Sequence, residues 1–573
     1  MKSIIVDLIA KETNLKIKEI ENLVELPPSD KLGDYTFPCF ILSKKPSTSQ
    51  CAPSAVGTKS PLIIAKELAK KLRKNLPKEI SNVDFKGPYV NFFINKKLLA
   101  KNVLTKVEKE NFGKLKIYRK KIGIEYPSPN TNKSLHVGHL RNIAIGESIC
   151  KIINNAGNKI IHLNLFNDRG ILISKSMVGY EKFADGKTPK SEAIKGDKFV
   201  GNLYTKFSKA SVNNKKFEEL AQKKLKLWEK NDKETLDLWK KLNSWTYSGM
   251  QETFQKFGLS KIDKSYYESE IYKKGKELIE AGLKNKVFYK KKDGAIAIDL
   301  EKEKLGEKIL LRSDGTSVYI TQDLYLAEQK IKDFNLDSSY YIVGCDQEYH
   351  FKVLFSILDK LGLKKDWKHL SYGMVSLPTG KMKSREGTAV SADDLINETQ
   401  EIAKKGIKDR NIDKLSEREL EERSLKIALS AIKYSLLKVD IHRGIIFNPD
   451  EALAFEGNTG PYLLYSYARA SSIIRKVKSK KLIKIIDLKD SEIKLLKKIN
   501  SFEETITTAY QNLAPNIIAN YAFELSQMFN EFYHSCPVLG SIEEGFRLKL
   551  VDAFRITLKK SLDLLGIDVL EEM

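Results

Sequence analysis

Several features that would place a chain in a special class are missing from this sequence of 573 residues. Its five cysteines, Cys39, Cys51, Cys150, Cys345 and Cys536, include no CxxC pair, which argues against a zinc site of that type and against a disulfide framework. No apolar run approaches the roughly 18 residues of a membrane-spanning helix, and the first residues lack a signal-peptide core. We therefore expect a cytoplasmic protein without a membrane span, with an organellar location left open.

Arginine is also scarce, since only 14 of the 99 basic residues are arginines. With 74 acidic residues the formal net charge is +25. Such a balance favours a polyanionic partner, because basic side chains gain affinity by releasing counterions from phosphates. A lysine-rich coding bias is the alternative source of this charge. The scarcity gives weight to each arginine present, since only arginine offers a planar bidentate set of donors.

Residues 1–112 are predicted to form a small α/β domain. Ile64, Leu68 and Leu72 recur at helical spacing, and the later segment DFKGPYVNFFIN has the aromatic content of strands. The polar, breaker-rich stretch 44–61 is expected to be a loop.

From residue 116 to about 395, strands and helices alternate as in a doubly wound parallel sheet of the Rossmann type. Strands are predicted at 121–126, 160–166, 317–321, 340–344 and 372–375, and a helix from about Leu135 to Ile153. The lysine-rich stretch from about 190 to 290 is predicted to be a mostly helical insertion in this sheet.

Residues 396–573 are predicted to form a helical linker and an all-α bundle. Ile517, Tyr521, Leu525, Met528 and Phe532 are three or four residues apart, so they are expected on one helix face.

The segment SPNTNKSLHVGHLRN (128–142) leaves a predicted strand and enters a predicted helix near His136. The N–H groups and dipole at such a helix start favour phosphate. His136 and His139 are three residues apart and are expected on one face, where they can hydrogen-bond a triphosphate. Gly138 between them lets a flat base approach the backbone. The alternative is a chance pair of histidines at a helix start.

This segment resembles the HIGH signature of class I aminoacyl-tRNA synthetases, in the form found in arginyl-tRNA synthetases. The resemblance covers essentially the whole chain. It implies an α/β Rossmann-type catalytic core with an inserted subdomain, an amino-terminal α/β domain that binds tRNA and a carboxyl-terminal all-α anticodon-binding bundle. The residues it implies for amino-acid binding are Glu125, Ser128, Pro129, Asn130 and His139, and those for ATP binding are His136, Gly138 and His139. Lys133 matches a lysine that replaces a missing second signature lysine.

A second basic motif, KMKSREG (381–387), follows a predicted strand and a Pro-Thr-Gly turn. It is similar to the family's KMSKS loop, in which a cation stabilises charge on the transferring phosphates. The ATP-binding residues that this implies are Lys381, Met382 and Ser384. In this copy lysine stands third, serine fourth and arginine fifth, so the second lysine of the KMSKS pattern is missing from its usual place. Either Lys383 or Lys133 supplies its charge. A solvated basic loop is the alternative for the motif alone.

A third group of residues is a candidate for substrate selection, because a guanidinium ion requires carboxylates in planar, bidentate geometry. Tyr319 and Asp323 are one helical turn apart if a helix starts there, and Gln347 follows in VGCDQEYH. The resemblance implies that Asp323 pairs with the guanidinium, Tyr319 packs on it and Gln347 helps to hold the α-amino group. Without the resemblance, Tyr319 is interpreted as a core aromatic residue and Asp323 as a cap or surface charge.

Two further motifs, NDRG (167–170) and GDKFVGNLY (196–204), match the family's wording. NDRG follows a predicted strand near the carboxyl edge, where ligands bind in such folds. We expect it to have a structural role at the rim of the site.

A fourth block, GNTGPYLLYSYARASSIIRK (457–476), resembles the family's anticodon-binding domain. Aromatic faces and cations on one helix are suited to unpaired RNA bases, although an amphipathic core helix is the alternative. The candidate tRNA-binding residues are Tyr462, Tyr465, Arg469, Arg475, Met573, Asn91 and Phe92.

The resemblance implies a monomeric arginine–tRNA ligase whose substrates are L-arginine, ATP with Mg²⁺, and tRNA(Arg). Arginyl-adenylate forms first, and the arginyl group is then transferred to the 3′ end of the tRNA. A zinc-dependent synthetase of the cysteinyl type and a catalytically silent tRNA-binding relative are the two alternatives that remain open.

Overall fold

The structure, a computed structural model, describes residues 2–43, 59–116, 119–212, 214–316, 318–376, 378, 391–409, 415–477 and 483–573. It divides into two compact units. The first consists of Met1–Phe112, Ser479–Asn500 and Glu531–Ala553, and the second of Gly113–Lys478, Ser501–Asn530 and Phe554–Met573. This division differs from the three predicted domains, whose boundaries stay predictions. No helix within the described ranges has the length and apolarity needed to cross a membrane.

The amino-terminal elements are α1 (Lys2–Glu12), α2 (Ile17–Leu23), β1 (Tyr35–Pro38), α3 (Pro61–Leu72), β2 (Ile80–Lys86), β3 (Tyr89–Ile94) and α4 (Lys96–Val107). The strands form an antiparallel sheet in the order β1-β3-β2. The predicted helix is α3, where Ser60 accepts a hydrogen bond from the Ile63 N–H and Pro61 occupies the first turn. Most of the loop predicted at 44–61 lies outside the described residues.

The central elements run from β4 to β12: β4 (Lys121–Glu125), α5 (Val137–Asn155), β5 (Lys159–Phe166), α6 (Ile171–Phe183), α7 (Gly196–Val212), α8 (Lys216–Glu229), α9 (Lys233–Phe257), β6 (Lys264–Tyr267), α10 (Glu268–Ile271), α11 (Lys276–Lys284), β7 (Tyr289–Lys290), β8 (Ile296–Leu300), β9 (Gly306–Leu311), α12 (Tyr319–Phe334), β10 (Ser338–Gly344), α13 (Glu348–Lys360), β11 (Asp366–Tyr372) and β12 (Val375–Ser376).

Five of these strands form a wholly parallel sheet in the order β11-β10-β4-β5-β6. The chain starts at β4, winds outward through β5 and β6, and returns to β10 and β11 on the other side. The order therefore reverses between β4 and β10, and ligands bind outside the carboxyl ends of strands at such a point. Ile122 and Ile124, whose alternation predicts β4, are buried.

The segment from 190 to 290 is mostly helical, as predicted, but it also contains β6, which pairs with β5 in the parallel sheet. The helices between the two strands are α6 to α9, and a small antiparallel sheet, β7-β8-β9, follows β6. The structure corrects one prediction for this region. The strand predicted at 317–321 is wrong, because α12 begins at Tyr319. The aromatic and β-branched residues there favour a strand, but Ile320 and Leu324 are buried four residues apart on one helix face.

The carboxyl-terminal elements are α14 (Ala392–Lys408), α15 (Glu417–Leu437), β13 (Ile445–Ile446), α16 (Pro449–Ala452), α17 (Gly460–Arg475), α18 (Asp490–Asn500), α19 (Phe502–Asn512), α20 (Pro515–Ser535) and α21 (Glu544–Leu564). Of the face predicted on α20, Tyr521, Leu525 and Phe532 are buried, whereas Ile517 and Met528 are partly exposed. The buried face is therefore rotated slightly from the predicted one.

Candidate active site

His136 and His139 form a reciprocal cap at the start of α5. His136 is the N-cap residue, and its Nδ1 accepts a hydrogen bond of 3.2 Å from the Gly138 N–H. The Nδ1 of His139 accepts a bond of 3.1 Å from the backbone N–H of His136. A side chain at Gly138 would approach the His136 ring to 3.0 Å, so the glycine makes room for this imidazole. The HVGH spacing therefore sets a geometry in which both Nδ1 atoms are acceptors.

Both imidazoles are held in the neutral form. Burial, and then the charge of Lys133, lowers the pKa of His136 to about 4. Burial, the neighbouring His136 and Lys133 hold the pKa of His139 well below its ordinary value. A neutral imidazole that accepts through Nδ1 carries its hydrogen on Nε2. The pair can therefore donate hydrogen bonds to an anion without carrying charge.

The segment before the helix is fixed to the end of β5. The Ser128 N–H donates to Oδ1 of Asn164 at 3.1 Å, and the Asn167 N–H donates to the carbonyl of Pro129 at 3.1 Å. Asn130 forms a parallel bridge with Asn167. The predicted Ser128–Pro129–Asn130 segment therefore lies across the carboxyl ends of β4 and β5.

Glu125, the last residue of β4, is buried and forms an ion pair with Lys330 of α12. The Lys330 ammonium also lies 4.3 Å from the centre of the Tyr341 ring. Nothing in the spacing of the sequence indicates this pair, because its members are separated by 205 residues.

Tyr319 and Asp323 lie in the first turns of α12, so the expected one-turn separation is confirmed. Tyr319 is 77% exposed, which contradicts its interpretation as a core aromatic residue. Asp323 forms a contact of 2.6 Å with Nε2 of His350, a residue that the sequence did not single out. Gln347 is exposed after the carboxyl end of β10, and its Nε2 donates to Asp346 at 3.1 Å.

A second carboxylate, Glu268, lies within electrostatic reach of Asp323 and was missed from the sequence. Burial is the main cause that raises the pKa of Glu268 to about 7; Asp168 and Asp323 add to it, and Arg169 opposes it. Glu268 follows β6 directly. The signal that could have found it is its position after a strand of the parallel sheet, but β6 was hidden within the predicted helical insertion.

The NDRG motif holds α10, the short helix that begins at Glu268. The Asp168 carboxylate accepts hydrogen bonds from the Ser269 N–H at 2.8 Å and the Ser269 hydroxyl at 2.7 Å. The Arg169 guanidinium lies 4.0 Å from the Glu268 carboxylate and 4.0 Å from the centre of the Tyr272 ring. These contacts support a structural role at the rim of the site.

In GDKFVGNLY, a side chain at Gly201 would approach the backbone of Ser134 to 3.1 Å. Close packing of α7 on the segment before HVGH therefore needs this glycine.

Lys381, Met382, Lys383 and Ser384 lie outside the described residues, so nothing is added to their predicted roles. The helix that follows them is anchored beside HVGH, because Ser391 bridges His136 and the Ala392 N–H donates to the Leu135 carbonyl at 2.8 Å.

Arg141, two residues after HVGH on α5, binds the segment that leads toward KMKSREG. Its buried guanidinium donates to the carbonyls of Gly373 at 2.6 Å, Arg443 at 2.8 Å and Ile441 at 3.2 Å. The general scarcity of arginine is the sequence signal that could have marked it.

On α17, the side chains of Tyr462, Tyr465 and Arg469 meet on one half-buried face. Arg469 donates to the Tyr465 hydroxyl and to Asn530, each at 2.8 Å, and Asn530 donates to the Tyr462 hydroxyl at 2.8 Å. The structure therefore brings these three predicted residues together around Asn530.

Arg475 lies elsewhere, at the end of α17, where it forms a 3.2 Å ion pair with Glu572 beside the terminal Met573. Asn91 and Phe92 are buried in β3, where Asn91 accepts a hydrogen bond from Thr36 and Phe92 belongs to the core. Both side chains are buried in this structure, and their contact with RNA stays a prediction.

Three family models match successive parts of this chain. A family model described as "tRNA synthetases class I (R), catalytic domain" matches residues 100–448, "Arginyl tRNA synthetase N terminal domain" matches 1–94, and "DALR anticodon binding domain" matches 463–573. The arginine–tRNA ligase of Treponema denticola is 43% identical over 594 residues, covering 99% of this chain and 97% of the relative. That of Borreliella burgdorferi is 39% identical over 594 residues, covering 100% and 98%.

Among solved structures, the arginyl-tRNA synthetase of Thermus thermophilus is similar, with a TM-score of 0.81 and 25% identity over 100% of this chain and 99% of that one. These matches span the catalytic, amino-terminal and carboxyl-terminal parts, and they exclude the cysteinyl alternative. The chain therefore belongs to the arginyl-tRNA synthetase family, the class I arginine–tRNA ligases.

Proposed function

We propose that the cleft at the carboxyl ends of β4, β5, β6 and β10 carries both steps of arginine–tRNA ligation. In the first step, a carboxylate oxygen of L-arginine attacks the α-phosphorus of ATP, supplied as its Mg²⁺ complex. The bond between the α-phosphorus and the oxygen that bridges to the β-phosphate breaks, giving arginyl-adenylate and pyrophosphate. In the second step, a terminal ribose hydroxyl of tRNA(Arg) attacks the arginyl carbonyl, and AMP leaves. The observation that supports this most strongly is the convergence of HVGH, Glu125, Asp323 and Glu268 on one edge of the sheet.

For the ATP end, we assign the hydrogen bonds to phosphate to His136 and His139, with Gly138 allowing the approach to the helix start. Neutral donors fixed by their own backbone bonds can stabilise charge that develops on the phosphate oxygens, without reorganisation. Lys133 acts on both histidine pKa values, so we favour it over Lys383 as the replacement cation. Lys381, Met382 and Ser384 complete this end on the strength of the resemblance.

For the arginine end, we assign the α-ammonium group to Glu125 and Gln347, with the Ser128–Pro129–Asn130 segment beside the carboxylate. Asp323 and Glu268 receive the guanidinium, and Tyr319 covers it. Two carboxylates within electrostatic reach of one another are costly without a cation, which is why this end suits a fixed positive charge. We assign no general base, because positioning and charge stabilisation suffice for the displacement.

For tRNA, we assign Tyr462, Tyr465 and Arg469 to bases of the anticodon loop. Arg475 and Met573 are assigned to a second contact with the same loop. The amino-terminal part is proposed to contact the outer corner of the tRNA, with Asn91 and Phe92 as the candidate residues. We further propose that the enzyme is monomeric and cytoplasmic and that arginine activation requires bound tRNA.

The test is ATP–pyrophosphate exchange with each amino acid in turn, with and without total tRNA. We expect exchange with arginine and with no other amino acid, and only when tRNA is present. Exchange at full rate without tRNA would contradict the coupling. Absence of exchange with every amino acid, together with tight tRNA binding, would contradict the catalytic assignment and support a silent tRNA-binding relative.

A further inference from the structure

Lys330 is a fully buried lysine to which the mechanism above gives no role. Its side chain has no exposed surface and is among the largest in the molecule to be so enclosed. Lysine is almost never fully buried unless it is paired. Here the ammonium forms an ion pair with Glu125 and lies over the Tyr341 ring. The pair therefore joins α12, β4 and β10 at the carboxyl edge of the sheet.

The surroundings of Lys330 keep it charged. Burial works against the ammonium, but Glu125, Tyr341 and Asp323 together raise its pKa above the ordinary value. Asp323 lies seven residues earlier on α12, two helical turns away, and so on the same helix face. One helix therefore carries the carboxylate proposed for the guanidinium and the cation that holds the carboxylate proposed for the α-ammonium group.

Stability alone is a weak reason for such a pair. Replacing a buried ion pair by apolar residues of similar volume is often neutral or stabilising, whereas removing one partner leaves a costly buried charge. A charged pair placed at the end of β4, beside the Ser128–Pro129–Asn130 segment, instead fits a need for fixed orientation. With Oε2 of Glu125 engaged by Lys330, the rotation of the carboxylate is restricted and Oε1 has a defined direction.

We propose that Lys330 is a positioning residue for arginine: it orients the Glu125 carboxylate toward the α-ammonium group and neutralises its charge, so that the guanidinium goes to Asp323 and Glu268. This inference rests on the proposed function. Arginine has two cationic ends, and a cleft with equivalent carboxylates at both ends could bind it in either direction. The Glu125–Lys330 pair has one carboxylate for one cation, whereas Asp323 and Glu268 are two carboxylates with the single guanidinium of Arg169 4.0 Å from Glu268. Lys330 thus makes the cleft asymmetric.

The test compares Lys330→Met, which keeps the length of the side chain but removes its charge, with Lys330→Arg, which keeps the charge. The kinetics of tRNA-dependent pyrophosphate exchange give the KM for arginine and the KM for ATP. We expect Lys330→Met to raise the KM for arginine by about tenfold or more and to change the KM for ATP by less than about twofold. Lys330→Arg should restore most of the arginine affinity.

The split between the two substrates is a readout that a purely structural role would not move, because a general loosening of the fold would raise both KM values. A second readout compares the double variant Glu125→Gln/Lys330→Met with Glu125→Gln. If Lys330 acts through Glu125, its removal should add nothing to the arginine KM once the carboxylate is gone. The other charged or titratable groups near the pair are Asp323 on α12, Tyr341 on β10 and Tyr266 on β6.

A matched control is Lys433→Met, which removes a second buried lysine, one that donates to the Gly566 carbonyl at 2.6 Å. It should alter thermal stability without a selective change in the KM for arginine. Equal effects of Lys330→Met on both substrates, or a higher arginine KM in the double variant than in Glu125→Gln, would overturn the proposal. If Lys330→Met does not fold, the comparison of the double variant with Glu125→Gln decides: equal arginine KM values support the proposal, and a further rise in the double variant overturns it. Failure of the wild-type enzyme to exchange with arginine would refute the proposed function instead.

Discussion

At the HVGH end of the cleft the two imidazoles are neutral and tied to the backbone, whereas at the Asp323 end two carboxylates, Asp323 and Glu268, act electrostatically on one another. His136 and His139 each accept a backbone N–H, and burial is the first cause of their low pKa values. Glu268 is also buried, but its pKa is raised to about 7 and Asp323 is one of the causes. Burial thus favours the uncharged form at both ends, with opposite effects on pKa.

The difference follows from what each end is proposed to bind. A polyphosphate brings its own negative charge, so fixed neutral donors can stabilise it while nearby lysines supply the countercharge. The guanidinium brings a permanent positive charge, so a carboxylate that is partly protonated in the empty site can ionise when the ligand arrives. The first end should therefore act mainly on rate, and the second mainly on arginine affinity and selectivity.

The strongest test of the HVGH end is His139→Ala. Loss of a fixed hydrogen-bond donor to the reacting phosphate should lower kcat for tRNA-dependent pyrophosphate exchange by about 10²–10³-fold, while the Kd for tRNA changes by less than about twofold. His534→Ala is the matched control, since His534 is exposed near the end of α20 and its loss should leave exchange unchanged. Equal losses of exchange and tRNA affinity would remove the distinction between the two ends.

The strongest test of the acidic end is Asp323→Asn. The amide keeps the shape of the side chain but cannot form a charge-assisted pair with guanidinium, so kcat/KM for arginine should fall by about 100-fold. The KM for ATP should stay near its wild-type value, and the preference for arginine over citrulline, its uncharged analogue, should shrink. Asp237→Asn, an exposed change on α9, is the control. An unchanged preference would mean that another group selects the guanidinium.

Much of the HVGH end could be predicted from the sequence because its determinants are local. His136, Gly138 and His139 lie within four residues, and the strand before them and the helix after them have clear periodicity. The alternating isoleucines of β4 and the predicted helix α5 are confirmed. The same local reasoning explains the success with Tyr319 and Asp323, whose spacing of four residues is one helical turn.

What could not be predicted depends on contacts between distant parts of the chain. Glu125 meets Lys330 only because the fold brings α12 against the end of β4, and His350 meets Asp323 because α12 and α13 pack together. Glu268 was missed because a four-residue strand within lysine-rich helices has little periodicity of its own. The burial of Asn91 and Phe92 could not be predicted, because the sequence of an aromatic strand looks the same whether its face is buried or exposed.

The smallest expected effect is a pH dependence that only the acidic end should show. Since the pKa of Glu268 is raised to about 7, the empty site carries a protonated carboxyl below that pH and a carboxylate above it. If only the carboxylate pairs with guanidinium, the KM for arginine should fall by about tenfold between pH 6 and pH 8. Glu268→Gln should have a higher KM that changes little across this range. The measurement is exchange at saturating ATP, with Glu277→Gln on α11 as a control of the same chemistry.

The Tm of the ligand-free enzyme tests the same role of Glu268, because protonation of this carboxyl should weaken arginine binding but stabilise the empty fold. A carboxyl whose folded pKa is raised contributes stability that is fully present below its ordinary value of 4.5 and is lost as pH rises through about 7. His136 acts in the opposite direction, because burial lowers its pKa from 6.5 to about 4. Its contribution to stability is fully present above pH 6.5 and is lost as the pH falls through about 4. Glu268→Gln should therefore remove the loss of Tm that the wild type shows between pH 4.5 and about pH 7, and saturating arginine should remove it in the wild type. If arginine stabilises the enzyme equally at pH 6 and pH 8, Glu268 does not ionise on binding, and the contrast between the two ends must rest on Asp323 alone.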